Sequence, residues 1–250
     1  MASTTIGSVG SKIIGTPTPG LRGLVLWLKF NEGSGSTVYD SSFYNYRGTI
    51  YGGATWVDGR FGKALSFDGS DDYVYCENCK VLSIRYEYTV MALINPINAS
   101  HIGDFGNERS DWRESCIIDR DWFRPLSLRI YDSAGHLSMA YERTDDSRED
   151  VYSSLTITEG VWQLVGYSLS LHTKTVKFFV NDVFEEKSIS YGDEYPLKNA
   201  GTLQIGRLPN ATWYYRGLID EVRLYERVLS NEEICMLYYN RIGAVSSKTI

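Results

Sequence analysis

The chain has 250 residues, with 25 basic and 31 acidic side chains, a net charge of −6, 19 tyrosines, 6 tryptophans and 23 glycines. That length fits one large all-β domain or two small ones, and a unit of this size buries roughly 70% of its unfolded surface without needing a covalent staple. The acidic balance excludes an electrostatic drive towards nucleic acid, and no apolar run approaches the roughly 20 residues of a membrane-spanning helix.

Residues 1–20, MASTTIGSVGSKIIGTPTPG, lack the charged start and apolar stretch of a secretory signal and read as an extended arm. Its one charge is Lys12, and Ile6, Val9, Ile13 and Ile14 suit strand addition to a neighbour's exposed sheet edge. Residues 21–241 read as one domain and 242–250 as a tail.

Period-2 apolar patterns then recur. LVLWLKF places Leu24, Leu26, Leu28 and Phe30 on one face, with Val25 and Trp27 on the other. VWQLVGYSLSL gives Val165, Tyr167, Leu169 and Leu171 a common face, and TVKFFVND does the same for Val176, Phe178 and Val180. FDGSDDYV, with Asp68, Asp71 and Asp72 around Gly69, reads as a turn between two strands; the alternating acids and closing glutamate of an EF-hand loop are missing. The segment 98–125 reads as a long charged loop. Near the end, Ser230 and Glu233 form a capping box, and Ile234, Leu237 and Tyr238 share one helical face, which predicts a short helix over an open end of the sandwich.

Cys76 and Cys79 make one C-x-x-C, but no second pair and no nearby histidine completes a zinc site; if oxidised, the two pair with each other or with Cys116 or Cys235. The pattern as a whole predicts an all-β, two-sheet antiparallel β-sandwich with a short C-terminal helix and an extended N-terminal arm.

Three blocks resemble a known family. Residues 24–74, LVLWLKFNEGSGSTVYDSS through FDGSDDYV, resemble the opening of LamG-like jelly-roll domains of the concanavalin A-like lectin/glucanase superfamily. GVWQLVGYSLSLHTKTVKFFVNDV (160–183) resembles their central hairpin, and LQIGR…YRGLIDEVRLYERVLSNEEI (203–234) their closing strand and helix. The resemblance implies a concanavalin A-like jelly roll with its chain ends in adjacent strands. This sequence departs from the family in DSSFYNYRG, where Phe43, Tyr44 and Tyr46 replace small residues.

Enzymes of the superfamily carry E-x-D-x-x-E along one strand for two-carboxylate chemistry. No such triplet occurs here, and no G-x-S-x-G or phosphate-cradling loop either. The expected function is a non-catalytic binding or structural module for surface or glycan attachment or particle assembly, such as a virion structural or decoration protein. It would act outside the cell or on a virion surface, with a glycan, a protein surface, self-association or a viral particle as partner. The competing reading is a carbohydrate-active enzyme, a glycoside hydrolase or polysaccharide lyase, with an unrecognised site.

The candidate ligand-binding residues are Trp112, Trp122 and Arg124 in the charged segment and Trp213 and Tyr214 before the last strand: such rings stack on sugars, anchor protein contacts, or plug the sandwich ends. Asp220 shares parity with Leu218, Val222 and Leu224, and Glu32 with Leu26, Leu28 and Phe30. A carboxylate at the edge of a core row needs a partner. Laminarinase-like relatives place a structural calcium at the position similar to Asp220, so calcium held by Asp220 and Glu32 is one expectation; turn amides or an arginine are the other.

Overall fold

The computed structural model describes residues 21–76, 79, 84–97, 115–120, 126–197, 202–209 and 213–241. In chain order the strands are β1 (Leu24–Leu28), β2 (Thr37–Tyr39), β3 (Arg47–Tyr51), β4 (Thr55–Asp58), β5 (Lys63–Asp68), β6 (Tyr73–Cys76), β7 (Glu87–Pro96) and β8 (Ser115–Arg120). They continue as β9 (Ser127–Ile130), β10 (His136–Glu142), β11 (Arg148–Thr156), β12 (Gln163–Ser170), β13 (Thr175–Val180), β14 (Val183–Ser188), β15 (Leu203–Ile205) and β16 (Arg216–Tyr225), followed by the helix α1 (Asn231–Arg241).

Two antiparallel sheets result. The first runs β14-β13-β12-β7-β16-β5-β4, with β1 also on β16, and the second runs β11-β10-β9-β8-β15-β6-β3-β2. Alternation on the strands makes the core between them. Val165, Tyr167, Leu169, Val176, Phe178 and Val180 of the first sheet meet Leu128, Ile130, Leu137, Met139, Leu203 and Ile205 of the second, all at or near zero exposure. The chain ends do pair, with Leu28 opposite Val222 and Trp27 opposite Arg223.

Strand β16 has one edge divided between two partners. Leu218 and Ile219 pair with β5, and Val222 to Tyr225 with β1. The division falls at a bulge between Asp220 and Arg223, where Glu221 takes the left-handed conformation (φ 52°). An extra residue reverses which parity faces inward. Ile219 and then Val222 and Leu224 line the core, so Leu218 does not share the inward row with Val222 as even spacing suggested. A second irregularity between Leu24 and Leu26 turns Leu24 to the far side with Trp27 and brings Val25 into the main core. Strand β1 stops at Leu28, and Phe30 has φ 48°, so Glu32 does not extend a β1 row.

Within the segment expected to be a charged loop, Ser115–Arg120 is an inner strand of the second sheet, with every residue buried. The helix differs from expectation in its seat. Its capping box forms, Ser230 Oγ accepting from the Glu233 amide (3.3 Å) and a Glu233 carboxylate oxygen from the Ser230 amide (3.0 Å). Ile234, Leu237 and Tyr238 pack on Met91, Leu93, Leu164 and Phe179, which point away from the core. The helix therefore covers the outer face of the first sheet, because that face carries its own apolar cluster.

Candidate functional site

The outer face of the second sheet is assembled by register. Across it, Thr49 faces Tyr75, Tyr75 faces Gln204, Gln204 faces Asp119, Asp119 faces Ser127, and Ser127 faces Ala140. In β6, Val74 and Cys76 enter the core, so Tyr73 and Tyr75 must point outward. The neighbouring row holds Tyr51 opposite Tyr73 at one end, and Cys116, Arg129, Ser138 and Tyr152 at the other.

Tyrosines dominate the β3–β6 end. Tyr51, 45% exposed, stacks on Tyr73 with centroids 5.1 Å apart and meets Tyr75 edge-on at 6.3 Å. The Arg207 guanidinium carbon lies 4.5 Å from the Tyr73 ring centre and 5.7 Å from that of Tyr214. Arg207 reaches this place because the chain turns sharply after β15. Gly206 has φ 85°, and a Cβ there would meet the Phe67 ring at 2.6 Å. Arg207 then bridges back to Tyr214.

Some polar atoms on this face are buried without a hydrogen-bond partner. Gln204 is 6% exposed and its Oε1 has no hydrogen-bond partner; the same holds for the hydroxyls of Ser127 and Ser138, which are fully buried. Such atoms each cost about 1–3 kcal/mol unless something answers them. Farther along the face Asp150 is committed, accepting from Arg129 (3.0 Å) and from Arg148 (3.0 and 3.2 Å). By contrast, a groove of about 270 Å³ on the outer face of the first sheet has several of its polar groups paired internally. Ser170 donates to Glu87 (2.6 Å), Thr173 bonds Thr175 (2.8 Å), and Lys177 donates to Asn231 (3.0 Å).

Of the residues expected to bind ligand, Trp213 and Tyr214 lie on this face. Trp213, half-buried, packs on Cys116, Ala140 and Leu208, and Tyr214 joins Arg207. Trp112, Trp122 and Arg124 lie outside the described residues. Sequence reasoning missed Tyr51, Tyr73, Tyr75, Gln204 and Arg207. The signal was present in YVYC, where the core parity of Val74 and Cys76 fixes the outward direction of both tyrosines.

Asp220 and Glu32 each accept a backbone amide. Asp220 is fully buried and its Oδ1 accepts from the Glu221 amide (2.7 Å); Glu32 Oε1 accepts from the Tyr39 amide (2.8 Å). Calcium takes six to eight oxygens, and among the described residues neither carboxylate belongs to a cluster of three acidic, thiol or imidazole groups. Three carboxylates do approach within 4.8 Å at Asp68, Asp71 and Asp72, in the segment read as a turn. Gly69 has φ 85°, Asp68 accepts from the Ser70 amide (2.7 Å), and Asp72 from the Asp68 amide (2.8 Å). Burial, with the charges of Asp68 and Asp71, raises the Asp72 pKa. The turn's own hydrogen bonds account for this arrangement. Cys76 and Cys79 are joined by a disulfide.

A second aromatic group sits on the loop after β2. Phe43 is 93% exposed, next to Tyr44 and the stacked Tyr46. The loop is pinned by Asp40, which accepts from the amides of Trp27 (2.8 Å), Ser42 (2.8 Å) and Tyr46 (3.2 Å) and from the Ser42 hydroxyl (2.5 Å).

The model of the concanavalin A-like lectin/glucanases superfamily matches residues 68–235, more than half of the chain. The chain belongs to that superfamily. No curated protein sequence matches it. Among solved structures it is similar to the binding domain of Paraclostridial Mosquitocidal Protein 1, with a TM-score of 0.68 and 17% identity over 87% of this chain and 52% of that one. The receptor binding domain of botulinum neurotoxin C/D mosaic serotype gives 0.66 and 18% over 88% and 52%. Domain 4 of AbnA, a GH43 extracellular arabinanase from Geobacillus stearothermophilus, solved in complex with arabinotriose, gives 0.62 and 19% over 86% and 98%. The chain thus spans about half the length of the toxin binding domains and nearly all of the arabinanase domain. At these identities the likeness is one of fold, the jelly roll of the superfamily.

Proposed function

We propose that this chain is a non-catalytic binding module that takes a glycan at the tyrosine end of the second sheet's outer face. The observation that carries the reading is Gln204, whose buried Oε1 lacks a partner beside Tyr75 and next but one along the face to the exposed Tyr51. A sugar ring offers both things this surface lacks: hydroxyl donors for the unanswered oxygens and an apolar face for the tyrosine rings. The arabinanase domain supports it by analogy, since that relative of matching length was solved with arabinotriose. Glycan attachment outside the cell, to a cell surface or to a particle such as a virion, is the role such a module serves. Residues 1–20 would then act as the assembly arm.

The test is an oligosaccharide array probed with the labelled wild-type protein and with Tyr51→Ala and Tyr73→Ala. Binding to a defined glycan set, weakened at least tenfold in both variants with folding intact, is the expected result. Binding that survives both substitutions places the ligand elsewhere, and no binding to any glycan removes the reading.

A further inference from the structure

Among the described residues, Arg207 on the platform has no counter-charge. Arg207 touches the rings of Tyr73 and Tyr214, its Nε is buried with no hydrogen-bond partner, and among the described residues no carboxylate pairs with it. Contact with aromatic rings engages the flat faces of a guanidinium electrostatically but uses none of its N–H groups, which lie in its plane. The two rings thus hold the cation in place, and among the described residues none of its N–H groups is given to a carboxylate. The donor edge of a guanidinium matches a carboxylate or sulfate, which accepts two parallel N–H bonds. Two buried arginines of the protein have the counter-charge that Arg207 lacks. Arg129 is paired with Asp150 and Arg223 with Glu221, as burial of a guanidinium requires.

We infer that the glycan bound at this face is acidic, with a carboxylate or sulfate seated on Arg207 while neighbouring sugar hydroxyls answer Gln204. This inference rests on the glycan reading and adds its chemical class. Neutral pairing partners are already supplied on the face by serine and glutamine side chains. Arg207 is the group whose charge a neutral ligand would leave without a counter-charge.

The test compares acidic oligosaccharides with neutral partners of the same backbone: uronic acid trimers beside their methyl esters, and sulfated oligosaccharides beside their desulfated forms. The wild-type protein is expected to favour one acidic series by about tenfold or more, with that binding alone weakening as salt rises. Which series is favoured distinguishes carboxylate from sulfate. Arg207→Met keeps an apolar stem against Tyr73 and is expected to erase the preference while retaining residual neutral binding. Arg207→Lys keeps the charge without the planar fork and should recover only part of it. Equal wild-type binding to acidic and neutral partners overturns the acidic inference and leaves the glycan reading standing. So does an acidic preference that persists in Arg207→Met with its melting temperature unchanged. No binding to either series removes both.

Discussion

Replacing Asp220 with alanine perturbs the seam where β16 passes from β5 to β1. Asp220 Oδ1 accepts the amide of Glu221, and Glu221 sits in the left-handed region at the bulge. Glu221 in turn accepts the Trp27 indole N–H of β1 (2.7 Å) and pairs with Arg223. The substitution leaves a buried amide without that acceptor, at a cost of about 1–3 kcal/mol. For a domain of this size, about 2–4 °C of melting temperature accompanies each kcal/mol, so a drop of roughly 2–12 °C is expected. Differential scanning calorimetry with and without EDTA reads it, and the loss should be the same in both. Asp220→Asn, which keeps an acceptor oxygen, should lose less. An unchanged melting temperature in Asp220→Ala refutes the bracing role. A wild-type protein destabilised by EDTA, with a variant that is insensitive to it, would instead place calcium at Asp220.

Glu185 clasps the sheet edges together, accepting from Ser153 Oγ (2.7 Å), the Ser154 amide (2.7 Å) and Ser154 Oγ (2.6 Å). Burial opposes its ionisation, but Lys187, Ser154 and Ser153 together pull its pKa down to about 2 from the usual 4.5. A depressed acid contributes stability above its unfolded pKa, so this share should be lost as pH falls from about 4.5 towards 2, and urea unfolding of Glu185→Gln should show a shallower acid loss. Phe43→Ser should move stability by no more than about 0.5 kcal/mol, given its exposure, and leave glycan affinity unchanged; reduced affinity would shift the site to the loop after β2. Non-reducing peptide mapping should recover Cys76 linked to Cys79, and metal analysis should find no stoichiometric zinc.

The sandwich was legible where alternation is unbroken, as in β12 and β13, whose core faces were read residue by residue. Even spacing misleads at two irregularities of register. At Leu24–Leu26 and Asp220–Arg223 the inward parity reverses, and no propensity in those stretches announces it. Strand β8 was hidden because Asp119 and Arg120 look like loop charges, although both are buried. The capping box located the helix but not its seat, which depends on apolar residues brought to the outer face of the first sheet by distant strands. At the candidate site, Trp213 and Tyr214 stood out as aromatic residues near the last strand. Gln204 and Arg207 are ordinary residues in sequence, and only the register of β15 against β6, with the turn at Gly206, gives them their surroundings.

Under the proposed function, the unanswered oxygen of Gln204 meets a ligand. Titration calorimetry of the best array glycan against wild type and Gln204→Leu tests it most directly. Leucine removes an unpaired buried polar atom, so stability should hold or rise, while the ligand loses a hydrogen bond worth about 1–3 kcal/mol. A stable variant whose affinity falls about fivefold to a hundredfold or more is the expected result. A variant that is equally stable and binds as tightly as wild type would contradict it.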